Sequence, residues 1–154
     1  MNLKADFKEA YSKSREFCVK FLNNKDFSDA PKEFKKLLKF RTFREIYNTL
    51  IYLAISRQSV SYGELARIVN ERLGEDILPT QGSWLGRSFG EILGAISIYE
   101  FSVGRPLLSV LIYNATTKRP GDGFTRLVNA LGFKIKESCE KERVFIAWGG
   151  YAKN

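Results

Sequence analysis

Apolar side chains recur at three- and four-residue steps along most of this 154-residue chain, a period that keeps one face of a helix apolar and so points to a mainly helical fold. Leu3, Phe7, Ala10, Tyr11, Ser14, Phe17, Cys18, Phe21 and Leu22 draw one amphipathic helix, ended by the polar stretch Asn23-Asn24-Lys25-Asp26. A short second helix starts around Pro31, a residue tolerated in the first turn. It offers Phe34, Leu37 and Leu38 on one side, with Lys32, Lys35, Lys36 and Lys39 covering the rest. Thr42 and Glu45 have the spacing of a capping box, in which a hydroxyl and a carboxylate satisfy each other's backbone N–H groups. They predict a third helix whose Phe43, Ile46, Tyr47, Leu50, Ile51, Ala54 and Ile55 make a wide apolar face central to the core.

Ser61 and Glu64 repeat the capping-box spacing and launch a helix from Tyr62 to near Gly74. After a loop with Pro79 and Gly82, helical spacing resumes through Trp84, Leu85, Phe89, Ile92, Leu93, Ile96 and Tyr99 to about Phe101. Gly104-Arg105-Pro106 breaks that helix, and the β-rich run Leu107 to Tyr113 predicts a strand buried on both faces. Thr116 to Gly123 is a turn with a basic tip, Phe124 to Leu131 a helix stopped by Gly132, and Val144 to Trp148 a strand or a short closing helix. The expected architecture is α+β and mostly helical. An N-terminal helical extension, residues 1–58, packs on a winged-helix-like domain with a small β-wing, residues 59–154.

Twenty-five Lys and Arg against 17 Asp and Glu give a net charge of +8, which favours an anionic partner, nucleic acid ahead of an anionic membrane. A basic surface that only aids solubility is the alternative. The chain has no histidine, which excludes His-based acid–base chemistry and Ser-His or Cys-His activation of a nucleophile. Cys18 and Cys139 form no CxxC pair, so neither a zinc site nor a redox dithiol is indicated, and no metal or cofactor is expected. The segment Met1 to Ala10 lacks the apolar core of a signal peptide, and no run approaches the roughly 18 apolar residues of a membrane span. A cytoplasmic protein without membrane association is expected.

A helix pair, a strand and a basic turn follow one another as in winged-helix proteins, where the second helix enters the major groove and the wing touches phosphates. Within that frame, Val60-Ser61-Tyr62-Gly63-Glu64-Leu65-Ala66 resembles the helix opening of O6-alkylguanine-DNA alkyltransferases and alkyltransferase-like proteins. The resemblance continues through Leu85-Gly86, the strand ending Leu111-Ile112, and Gly121-Asp122-Gly123-Phe124 running into the next helix, and covers roughly half the chain. It implies a DNA-binding winged helix in which Tyr62 contacts a phosphate. Where the family carries its alkyl-accepting cysteine in a Pro-Cys-His run, this chain reads Tyr113-Asn114-Ala115. An amide cannot serve as the thiolate acceptor, so the implied role is non-catalytic binding of double-stranded DNA, with sensing of modified or distorted DNA as its task.

The candidate contacts each carry a plainer alternative. Tyr62 at a helix N-terminus suits a phosphate, or packs at the edge of the core. Arg67 and Arg87 suit DNA contacts, or make surface ion pairs such as Arg67 with Glu64 or Glu71. Ser83 aligns with the family's base-displacing arginine; neighbouring Trp84 would wedge or stack between bases, or belong to the core. Lys118 and Arg119 at the tip of the turn suit backbone phosphates, or simply make the turn polar. Asn114 would line a remnant pocket, or satisfy a strand end. Two other classes stay open. One is a protein-interaction module that dimerises or binds a partner through the N-terminal helices. The other is a histidine-free metal-dependent nuclease drawing on Glu64, Glu91, Glu100 and Asp122.

Overall fold

The computed structural model describes residues 2–132 and 136–150, apart from the side chains of residues 83–88 and 122. In chain order the elements are α1 (Leu3–Asn24), α2 (Ala30–Leu37), α3 (Arg41–Ile55), β1 (Val60–Ser61), α4 (Tyr62–Leu73), α5 (Ser83–Ser102), a 3-10 turn (Leu108–Leu111), β2 (Ile112–Tyr113), α6 (Asp122–Leu131) and α7 (Glu137–Gly149). The fold is α+β and mostly helical, as the apolar period predicts. The strands β1 and β2 pair in parallel, Val60 opposite Ile112 and Ser61 opposite Tyr113. Among the described residues this is the only sheet, so the expected β-wing is not a hairpin. The sheet instead fastens the entry of α4 to the segment that precedes the basic turn.

One hydrophobic cluster runs through the N-terminal helices and the remainder of the chain. Its aromatic centre is Phe34 of α2, stacked on Tyr99 of α5 at 4.0 Å and meeting Phe43 and Tyr47 of α3 edge-on at 5.4 and 5.2 Å. Helix α5 is the spine: Phe89, Ile92, Ala95, Ile96 and Ile98 are all fully buried. Glu100 of α5 has no exposed side-chain surface and is paired through Oε2 with Arg105 at 2.6 Å, and the Tyr47 hydroxyl donates to the same oxygen at 3.2 Å. Burial pushes the Glu100 carboxyl up, against the pull of Arg105 and Tyr47.

Two local expectations are corrected, and a third, left open between two alternatives, is settled. Thr42 and Glu45 do not cap α3; its N-cap is Phe40, which offers no side-chain acceptor. Asp6 of α1 does the work from 36 residues away, accepting from Arg41 N–H at 3.1 Å, Thr42 N–H at 2.9 Å and the Thr42 hydroxyl at 2.7 Å. The run Leu107 to Tyr113 is buried but is a strand only at Ile112–Tyr113. The Leu107 N–H is taken by the buried carboxylate of Glu140 at 2.9 Å, and the Ser109 N–H by the Ser97 hydroxyl at 3.1 Å. With those backbone donors claimed by side chains, a 3-10 turn replaces a sheet ladder. Val144 to Trp148, left between strand and helix, lies within α7.

Candidate functional site

Helix α4 starts where the sequence predicts, because its capping box is complete: Glu64 N–H donates to the Ser61 hydroxyl at 3.2 Å and the Glu64 carboxylate accepts from Ser61 N–H. It ends at Gly74, whose φ of +77° is the left-handed conformation glycine adopts freely. The loop that follows turns back along α4. Asn70, buried, accepts from the Ile77 and Leu78 N–H groups at 3.0 and 2.8 Å and donates to the Leu78 carbonyl at 2.9 Å. Farther along, the Thr80 carbonyl passes so close to Gly63 that a Cβ there would lie 3.0 Å from it. The loop therefore returns the chain to the N-terminal end of α4 before α5 begins at Ser83.

Tyr62, the first residue of α4, joins three elements at that end. Its ring stacks with Phe89 of α5, centroids 6.3 Å apart, and its hydroxyl accepts from the Gly121 N–H at 3.1 Å. Gly121 is the N-cap of α6, and the hydroxyl sits so close that a Cβ at this position would lie 2.7 Å from it. Only a glycine leaves room for that approach. The start of α4, the approach to α5 and the end of the basic turn thus meet around one tyrosine, brought together by the β1–β2 register and the returning loop.

The turn itself is compact. Asn114 N–H donates to the Arg119 carbonyl at 2.8 Å and Lys118 N–H to the Asn114 carbonyl at 2.7 Å. Lys118 adopts φ +61°, is exposed, and holds its ammonium 5.9 Å from the Tyr113 ring centroid. Arg119 is exposed but paired with Glu137 of α7 at 2.9 Å, and that carboxylate holds its guanidinium still more firmly protonated. Asn114 is exposed, and its side-chain oxygen accepts from the Thr116 and Thr117 N–H groups at 2.8 and 3.2 Å. It does what the strand-end reading describes.

Arg67 makes no ion pair with Glu64 or Glu71; among the described residues it has no carboxylate partner. It lies on the rim of a concavity shared with Glu71, Glu75 and Asp76, whose negative charge opposes a phosphate at that spot. Ser83, Trp84 and Arg87 belong to the first turns of α5, and their side chains lie outside the described residues. From Phe89 onward α5 faces the core on most sides. Neither Gly121 as the partner of Tyr62 nor Glu137 as the partner of Arg119 is among the contacts expected from the sequence. The run Gly121-Asp122-Gly123 was a signal for a tight approach, whereas nothing local announces an ion pair spanning 18 residues.

Of the carboxylates named for a nuclease, Glu64 is engaged in its cap and Glu100 with Arg105, while the side chain of Asp122 lies outside the described residues. Among the described residues no group of three or more metal-ligating side chains gathers. Cys18 is buried, with its sulfur donating to the Glu91 carbonyl at 3.4 Å, and burial pushes its thiol up, away from the reactive thiolate. No described helix is long and apolar enough to cross a membrane. No family model, curated protein or solved structure matches the chain.

Proposed function

We propose that the protein binds double-stranded DNA without catalysing a reaction, as a winged-helix, alkyltransferase-like protein that senses modified or distorted duplex. The observation that carries this reading is the convergence at Tyr62. A helix N-terminus, the first turns of a second helix and a cationic turn share one end of the molecule, the combination that backbone phosphate recognition uses. Lys118 is the strongest phosphate contact of the set. Arg119 contributes once it exchanges Glu137 for a phosphate, and Tyr62 sets the spacing between helix and turn while its exposed edge meets the backbone. Ser83, Trp84 and Arg87 are the positions from which α5 would read bases, and Arg67 contributes least.

Labelled duplex, with and without one O6-alkylguanine, titrated at several salt concentrations tests the proposal. Affinity should fall steeply as salt rises. The Lys118→Ala/Arg119→Ala variant should flatten that dependence by roughly one to two units of slope, and Tyr62→Phe should weaken binding with the fold intact. Absence of binding at low salt would sink the reading and favour a protein-interaction module, for which the exposed Val19 of α1 and Tyr52 of α3 offer contact. Cleavage of the duplex on adding Mg²⁺ would instead favour the nuclease.

A further inference from the structure

The densest positive charge on the chain is not at Tyr62. Residues 32–44 hold Lys32, Lys35, Lys36, Lys39, Arg41 and Arg44 against the single carboxylate of Glu33. We propose that this stretch, the lysine stripe of α2 with the arginines at the start of α3, is a second face that binds the phosphate backbone of duplex DNA. The proposal rests on the DNA-binding reading above and adds to it a surface that the resemblance does not touch.

The stripe follows from helix geometry. Ala30, Phe34 and Leu37 turn inward and are at most 4% exposed, which leaves Lys32, Lys35, Lys36 and, one residue past the C-cap, Lys39 on the outer side, all exposed. Among the described residues only Lys36 of these finds a carboxylate, Glu33 at 3.3 Å. Of the acidic groups around it, Asp6 accepts the N–H groups that open α3, Glu45 is paired with Arg72 at 3.0 Å, and Glu16 of α1, which lines a groove with Lys36 and Glu33, is paired with Lys13 at 3.3 Å. Asp29, the N-cap of α2, makes no capping hydrogen bond and stays within helical reach of Lys32, so the stripe keeps a net positive charge of four lysines and two arginines against Asp29 and Glu33. Arg44 is exposed and donates through its guanidinium to the Leu38 carbonyl at 3.0 Å, which holds that charge beside the stripe. From Lys32 to Lys39 the stripe spans about 10 Å at 1.5 Å per residue. That matches about three successive phosphates of one strand at ~3.4 Å of helix axis each.

This face is distinct from the Tyr62 end. The Arg72–Glu45 pair ties the end of α4 to the start of α3, so the two helices run antiparallel. The lysine stripe joins α3 at its beginning, whereas Tyr62 follows α3 at its end, about 22 Å away over 15 helical residues. The chemistry also selects among polyanions. Helices that lie in a membrane surface insert an apolar face, and the large apolar side chains of α2 are committed to the core. What remains is charge without insertion, which fits a backbone of phosphates.

The test uses the full chain with exposed substitutions that suit a helix. Lys32→Ala/Lys35→Ala/Lys39→Ala should keep the far-ultraviolet circular dichroism of the wild type and flatten the salt dependence of duplex binding by about 2 to 3 units, at ~0.9 for each phosphate no longer neutralised. The loss should add to that of Lys118→Ala/Arg119→Ala, since the two sites share no partners. Charge reversal, Lys32→Glu/Lys35→Glu, should weaken binding at low salt more than tenfold. An unchanged slope in the triple variant overturns the second face while leaving the Tyr62 reading standing. A slope that falls in the triple variant but not in the Lys118/Arg119 or Tyr62 variants supports this face and overturns the other. If the triple variant binds duplex normally but loses binding to phosphatidylserine vesicles that the wild type retains, the stripe serves a membrane and the proposal fails.

Discussion

The region around Phe34 and the region around Tyr62 both bring several helices together on one aromatic ring, yet they are held by different means. Phe34 is 1% exposed and touches Phe17, Phe43, Tyr47 and Tyr99; beside it the Tyr47–Glu100–Arg105 network is satisfied on every side described. Tyr62 is only partly buried; its ring lies against Phe89 and its hydroxyl takes a hydrogen bond from the turn. The first region draws its stability from buried apolar area, which is non-directional and large. The second sets position through short polar contacts, each worth little on its own. A surface that must engage a ligand can be built this way because the scaffold beneath it carries the fold.

Substitutions should separate the two. Phe34→Ala removes a fully buried ring at the meeting point of α1, α2, α3 and α5, and should destabilise the protein by ~3–5 kcal/mol, the range for large aromatic cavities. Urea unfolding followed by circular dichroism measures it; a loss below about 1 kcal/mol would mean that the cluster repacks and that the contrast is false. Asp6→Ala should come next. It strips the acceptor from three donors at the start of α3 and should cost ~0.5–2 kcal/mol, as loss of a helix cap does. Asp6→Asn retains one oxygen and should recover a good part of that.

Asp6 also marks where the sequence stops being legible. The capping box at Ser61 and Glu64 was readable because both partners lie within one turn, and so was the stop at Gly74. Thr42 and Glu45 have the same spacing, but no local rule distinguishes them, because the acceptor that displaced Glu45 arrives from α1. The run Leu107 to Tyr113 misled for the same reason: its β-rich composition is real, and Ser97 and Glu140 divert its backbone N–H groups from outside the segment. At the candidate site, the cap and the positions of Tyr62 and of the turn were legible, whereas their meeting was not. That meeting depends on Asn70 folding the loop back along α4 and on a parallel pairing between residues 52 apart. Charge was legible only as composition. Helical spacing shows the α2 lysines as one side of a helix, but that Asp6, Glu16 and Glu45 are each engaged with other groups is a property of the fold.

The smallest expected effect tests the contrast most closely. Gly121→Ala places a Cβ 2.7 Å from the Tyr62 hydroxyl but 3.5 and 3.6 Å from the ring carbons Cζ and Cε2, so the hydroxyl is what the new methyl displaces. The backbone at Gly121, φ −72° and ψ 174°, accepts alanine, which leaves the broken hydrogen bond as the main penalty, about 1 kcal/mol for a part-buried one. In a Tyr62→Phe background the hydroxyl is already gone and the same alanine meets only ordinary van der Waals neighbours. Gly121→Ala should therefore cost less there than in the wild type, with a coupling of ~0.5–1 kcal/mol in the double-mutant cycle. Additive losses would show that Gly121 and Tyr62 do not act through this hydrogen bond, and the turn would then need another tether to α4. Losses approaching that of Phe34→Ala would erase the distinction, making the Tyr62 end a part of the core and no longer a surface positioned upon it.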